Sequence, residues 1–111
     1  MVVFTMTTNI RFLLKVTKSS MYALVNDYFP SEIPKMKLCY FKGYRRSYWL
    51  EWTDSNYNIN KAFLSACGGG VSLSIDTKIT DNQGDFIENE RFFKAISLDE
   101  LIERNLVEIK S

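Results

Sequence analysis

The sequence predicts an α+β fold, a single small domain over residues 1–111 with a mostly antiparallel sheet of five to six strands and two or three short helices packed on it. Three observations predict it. With 111 residues, 46% of them apolar and 24% charged, the chain has the size and composition of one soluble globular core. The cleanest pattern is an alternation of period two, in which Val71, Leu73, Ile75, Thr77 and Ile79 oppose Ser72, Ser74, Asp76, Lys78 and Thr80. Helical periodicity is confined to short stretches beside capping residues, which suits helices laid on a sheet.

Residues 1–8 show no pattern and are expected to be disordered. Ile10 to Val16 reads as a first strand, with Phe12 and Leu14 alternating against Leu13 and Lys15. A helix follows, with Ser19 as its N-cap and Met21, Leu24, Val25 and Tyr28 as its apolar stripe; Pro30 and Pro34 end it. Strands at 36–42 and 47–53 form a hairpin through 43–46. Leu38 and Tyr40 share one face of it, Cys39 and Phe41 the other; Tyr48, Leu50 and Trp52 oppose Trp49. Apolar residues on both faces mean either a sheet covered on both sides or one face used for binding.

An Asn-rich loop at 54–60 leads to a short helix expected at 61–67, where Phe63, Ala66 and Cys67 share a face and Gly68 to Gly70 stop it. The alternating strand from Val71 then turns at 81–84 into a second long strand, about 86–96. Ser97 and Glu100 form a capping box for a helix with Leu98, Leu101 and Ile102 on its buried stripe, and Asn105 closes it. Val107 and Ile109 alternate with Glu108 and Lys110 in a final strand expected on the sheet.

The chain contains no histidine, the side chain most used for proton transfer near neutral pH. Other catalytic patterns fail as well. Ser65 lies outside a GxSxG context, and the triple glycine lacks the GK[ST] of a phosphate loop. Asp81 to Asp85 departs from a calcium loop at Phe86 and Phe92. Glu108-Ile109-Lys110 has the ExK form of some nucleases but sits in the last few residues, where a catalytic site is poorly held. Cys39 and Cys67, 28 positions apart without a CxxC, read as two thiols and not as metal ligands. The expectation is a protein that is not an enzyme and has no catalytic residue, metal or cofactor. Without a signal-like segment or a run of about 20 apolar residues, a cytoplasmic location and no membrane partner are expected.

Net charge is +1, yet it is segregated. Residues 1–50 carry eight Lys/Arg against two Asp/Glu, a balance of +6; residues 51–111 carry six against eleven, a balance of −5. The halves form a basic and an acidic pole unless the fold interleaves them. Seven aromatics between Tyr40 and Tyr57 are interleaved with Lys42, Arg45 and Arg46. They either fill the core or supply binding anchors.

These features lead to an expected function: binding and blocking another protein, as an immunity or antitoxin-type protein or a phage-encoded inhibitor does. Two sets of residues are expected to meet the partner. The acidic set, Asp76, Asp81, Asp85, Glu88 and Glu90, suits a basic partner such as a nuclease toxin. The aromatic and basic set is Trp49, Trp52, Tyr57, Tyr44, Arg45 and Arg46. The alternative is a single-stranded nucleic-acid binder using the hairpin at 36–57, whose rings stack bases while its cations hold phosphates.

Overall fold

The computed structural model of the protein describes residues 11–29, 33–67, 70–81, 83 and 85–110, with the side chains of Cys67, Thr80 and 86–91 left aside. The fold is α+β. Strands β2 (Tyr40–Tyr44), β3 (Ser47–Thr53), β4 (Ile59–Cys67), β5 (Gly70–Thr80) and β6 (Phe86–Ile96) form an antiparallel meander in that order. A second sheet pairs β1 (Arg11–Leu14) with β7 (Val107–Lys110), and the helices are α1 (Lys18–Tyr28) and α2 (Leu98–Glu103).

The stretch expected as a helix at 61–67 is the second half of β4. Every residue from Ile59 to Cys67 has a register partner on β5, with Leu64 opposite Leu73 and Ala62 opposite Ile75. The pattern that wins is Asn60, Ala62, Leu64 and Ala66 on one side against Ile59, Lys61, Phe63 and Ser65 on the other. Pairing on both edges satisfies a whole strand of backbone groups, which outweighs the modest helical preference of Lys61, Ala62, Leu64 and Ala66. Cys67 pairs with Gly70, so the glycines join two strands and do not end a helix; residues 68–69 lie outside the described set.

Three other boundaries shift for local reasons. The α1 N-cap is Thr17, not Ser19. Thr17 Oγ1 accepts from the Ser20 amide at 3.1 Å and Ser20 Oγ accepts from the Thr17 amide at 2.9 Å, a reciprocal box that Ser19 has no partner to form. The strand expected from Met36 begins at Tyr40, because Met36–Leu38 closes a 3₁₀ turn in which the Leu38 amide donates to Lys35 O. The last strand does not join the main sheet. It pairs with β1, and Lys15 N donates to Leu106 O at 2.7 Å to continue that ladder. The stripe of α1 holds, with Met21, Leu24 and Val25 fully buried; Pro30 lies outside the described residues.

One side of the main sheet carries the core. Leu50, Trp52, Ala62, Leu64, Leu73, Ile75 and Ile96 are buried there with Met21, Leu24 and Val25 of α1 and Leu101, Leu106 and Val107 from the C-terminal segment. Each full burial of a Leu or Ile side chain contributes about 1.5–3 kcal/mol. Two contacts fix which side this is. Phe29 packs on Trp52 with ring centroids 6.1 Å apart, and Tyr48 donates its hydroxyl to Leu14 O at 3.3 Å. On the same side Gly43 lies under the Tyr48 ring, where a Cβ would fall 2.5 Å from Tyr48 Cδ1. Gly43→Ala is therefore expected to cost about 1–3 kcal/mol in urea denaturation. An unchanged midpoint would show that Tyr48 moves away freely.

The two helices are clasped by a polar network. Tyr28 donates its hydroxyl to both Glu100 oxygens at 2.7 and 2.8 Å; Arg104 Nε donates to Glu100 at 2.9 Å and Arg104 Nη2 to Asp27 Oδ2 at 2.7 Å. Ser97 caps α2 as expected, accepting from the Glu100 amide, but the Glu100 carboxylate turns to Tyr28 and Arg104 and does not complete the box. Ile102 is 50% exposed, so the α2 stripe reduces to Leu101 with Leu98 half-buried. The Asp27–Arg104 contact also joins the basic and acidic halves of the sequence.

The Tyr28 hydroxyl, with Arg104 assisting against partial burial, holds the Glu100 carboxyl below its ordinary range. This contribution is fully present above the unfolded carboxylate value of about 4.3 and is lost as pH falls through the lower folded value. Glu100→Gln is expected to flatten the acid arm of stability against pH below about pH 4. An unchanged acid arm would mean that the carboxylate is not stabilised by its partners. Tyr28, raised by the same hydrogen bond, has the opposite sign: its contribution is lost above about pH 10.

Candidate interaction face

The other side of the main sheet is covered by no described element. Register places its side chains in rows that run across the strands. One row is Lys42, Trp49, Phe63, Ser74 and Phe93. Trp49 and Phe63 are in contact, with ring centroids 6.2 Å apart and planes tilted by 42°, and Lys42 Nζ lies 6.0 Å from the Trp49 ring centre. Phe93 is 64% exposed. A neighbouring row is Tyr40, Glu51, Lys61 and Asp76, in which charge alternates from β3 to β5; Arg91 holds the next register position, on β6. Lys61 Nζ and Glu51 Oε1 lie 3.7 Å apart. On the far side of the aromatic row stand Tyr44, Ser47, Ser65, Ser72 and Ala95, with the Ser47 and Ser65 hydroxyls hydrogen-bonded at 3.1 Å.

This arrangement sorts the residues expected to meet a partner. Trp49 is on the open face, half-buried between Lys42 and Phe63. Trp52 is not an anchor: it is 3% exposed, in the core, because its parity on β3 is that of Leu50. Tyr44 is 61% exposed at the β2–β3 turn, where the Arg45 guanidinium sits 5.2 Å from its ring centre, and Arg46 is exposed beside it. Arg45 takes a left-handed φ of 57° to make the turn. Tyr57 stands at the opposite end of β3, 81% exposed with φ of 65°. Its loop is tied by Asp54, whose Oδ1 accepts from the Asn56 and Asn58 amides at 2.9 and 3.0 Å. The aromatic and basic set is thus divided between the two ends of the hairpin, its face and the core.

The acidic set is divided too. Asp76 lies on the open face, in register with Lys61 on β4 and with position 91 on β6. Asp81 and Asp85 are exposed in the β5–β6 connection, where Asp81 Oδ1 accepts from the Gln83 and Asp85 amides, both at 2.9 Å. Glu88 and Glu90 hold the register positions opposite Ile79 and Thr77, out of phase with Asp76; their side chains lie outside the described residues. Phe63 and Phe93 were not foreseen as surface residues. Phe63 was hidden by the helical reading of 61–67, although its alternation with Ala62 and Leu64 carried the signal.

Cys39 is a buried free thiol whose ionisation is pushed up by that burial; the Cys67 side chain lies outside the described residues. Among the described residues no group of three or more His, Cys, Asp or Glu is placed to hold a metal ion, and no helix is long and apolar enough to cross a membrane. Comparison with protein-family models, curated proteins and solved structures finds no match to this chain.

Proposed function

We propose that this chain is a non-enzymatic cytoplasmic binding protein that blocks another protein by holding it against the open face of the five-stranded sheet, as an immunity protein or a phage-encoded inhibitor does. The observation that supports this reading is the row of Trp49, Phe63 and Phe93 across a face that no described element covers. Half-buried Trp49 and Phe63 in contact, with exposed Phe93 in the same row and charge beside it, have the composition of an interface hot spot. The exposed Asp81 and Asp85, at one end of the β5–β6 hairpin, suit steering toward a basic partner such as a nuclease toxin.

A photo-crosslinking residue placed at position 93 in the native host tests the reading. The expected adduct is a defined protein species, lost when Trp49→Asp is added. Adducts at a control position, 109, with none at 93 would refute it.

A second reading is single-stranded nucleic-acid binding on the same face. It is favoured by the Lys42 ammonium beside Trp49 and the Arg45 guanidinium beside Tyr44. Glu51 and Asp76 weigh against it, since both would face the phosphates. Quenching of tryptophan fluorescence by an oligonucleotide, falling steeply with salt, would establish this second reading.

A further inference from the structure

The charged row on the open face is self-complementary, and this identifies an occupant. By register position, β3 to β6 carry Glu51, Lys61, Asp76 and Arg91, so the charges at these positions read minus, plus, minus, plus. A sequence of this kind becomes its own complement when reversed about its midpoint, the boundary between β4 and β5. We infer that, in the free protein, the open face is covered by a second copy of this chain, related by a two-fold axis parallel to the strands over that boundary. The inference rests on the reading of this face as the interaction surface and names what occupies it before a target arrives.

The axis preserves height along the strands, so each row meets itself in reverse. Lys61 then faces Asp76 of the other copy, and Glu51 faces position 91. In the aromatic row Trp49 meets Phe93, while Phe63 meets Ser74, a large residue over a small one, as interdigitated sheets require. Ser65 meets Ser72 and Ser47 meets Ala95, which lets the sheets approach. An axis over a strand would instead set like charges together, Glu51 on Asp76 across β4, which disfavours that alternative. Strand spacing of about 4.8 Å and a rise of about 3.3 Å per residue make the four overlapping strands a patch of roughly 20 by 25 Å. A face-to-face pair then buries about 1,000 Å² in total, the threshold of a specific interface, which suits a resting dimer that a tighter-binding target displaces.

The charge arrangement gives a test that folding defects do not imitate. In a homodimer, Lys61→Glu sets carboxylate against carboxylate at both symmetry-related contacts between positions 61 and 76, and Asp76→Lys sets ammonium against ammonium at the same two places. In a mixed pair of the two variants both contacts join opposite charges: position 61 of the first variant, now acidic, meets position 76 of the second, now basic, and the remaining contact is the native pair of Lys61 and Asp76. Sedimentation equilibrium, over a series reaching about 1 mM, is expected to give a dimer for the wild type and at least tenfold weaker association for each variant alone. An equimolar mixture of the two variants is expected to recover the dimer, with circular dichroism establishing that each is folded. A wild type that stays monomeric throughout overturns the inference, as does a dimer indifferent to both variants or a mixture no tighter than its components. A monomeric wild type that still crosslinks a different protein from position 93 would sink the dimer and leave the binding reading standing.

Discussion

Trp52→Ala is expected to remove about 3–5 kcal/mol of stability, the largest effect of any aromatic substitution in the hairpin. Trp52 is buried against Phe29 on the core side of β3, and alanine leaves a cavity between the sheet and the segment after α1. Domains of this size are stable by about 5–15 kcal/mol, so the variant is left close to unfolding. Trp49→Ala, three positions earlier and on the opposite face, is expected to change stability by only about 0.5–1 kcal/mol while weakening whatever binds the open face. Urea denaturation of the two variants checks the contrast. Trp52→Phe refines it, because Trp52 Nε1 is buried with no hydrogen-bond partner among the described residues. Phenylalanine removes that unsatisfied donor and most of the cavity, so its cost should be well below that of alanine. Equal losses at positions 49 and 52 would contradict the assignment of the two faces.

Asn60→Ala is expected to cost about 2–4 kcal/mol and to loosen the loop that presents Tyr57. Asn60 is 1% exposed and is the polar side chain buried in the sheet core. Its amide donates to Asp54 Oδ2 at 3.2 Å and Asn58 O at 3.3 Å, and its oxygen accepts from Thr77 Oγ1 at 2.6 Å. Alanine strands the Thr77 hydroxyl and one Asp54 oxygen. Removing the second partner as well, in Asn60→Ala/Thr77→Val, should recover part of the loss, because an apolar pair tolerates burial better than one orphaned hydroxyl. Amide hydrogen exchange at 56–58 is expected to rise in the single variant. A small cost with unchanged exchange would mean that Asp54 alone organises the loop.

Much of the fold was legible where a strict period met an unambiguous stop. The alternation from Val71 to Ile79, the stripe of Met21, Leu24 and Val25, and the serine cap at Ser97 each appear in the structure. The reading failed where two periods fit the same residues. In 61–67 the apolar members of the covered face are Ala62, Leu64 and Ala66, which a helix accepts as readily as a strand, and only pairing with β3 and β5 decides between them. The pairing of β1 with β7 spans nearly the whole chain and leaves no local mark.

The site was legible in part for the same reason. Parity separated Trp49 from Trp52 on the strand, but nothing local says which parity the helices cover. The sequence allowed a sheet covered on both sides or one face left for binding; the structure leaves one face open. Phe63 and Phe93 join Trp49 only through register with neighbouring strands, and the alternating charged row exists only once four strands stand side by side.

Hydroxyl-radical footprinting of the dilute purified chain and of the same chain in extract from its native source tests most directly whether the open face is the working surface. Labelling of Trp49, Phe63 and Phe93 is expected to fall in the extract, while Leu38 and Ile109, exposed elsewhere, keep theirs. Unchanged labelling of those three rings, with protection appearing at Leu38 or Ile109, would contradict it.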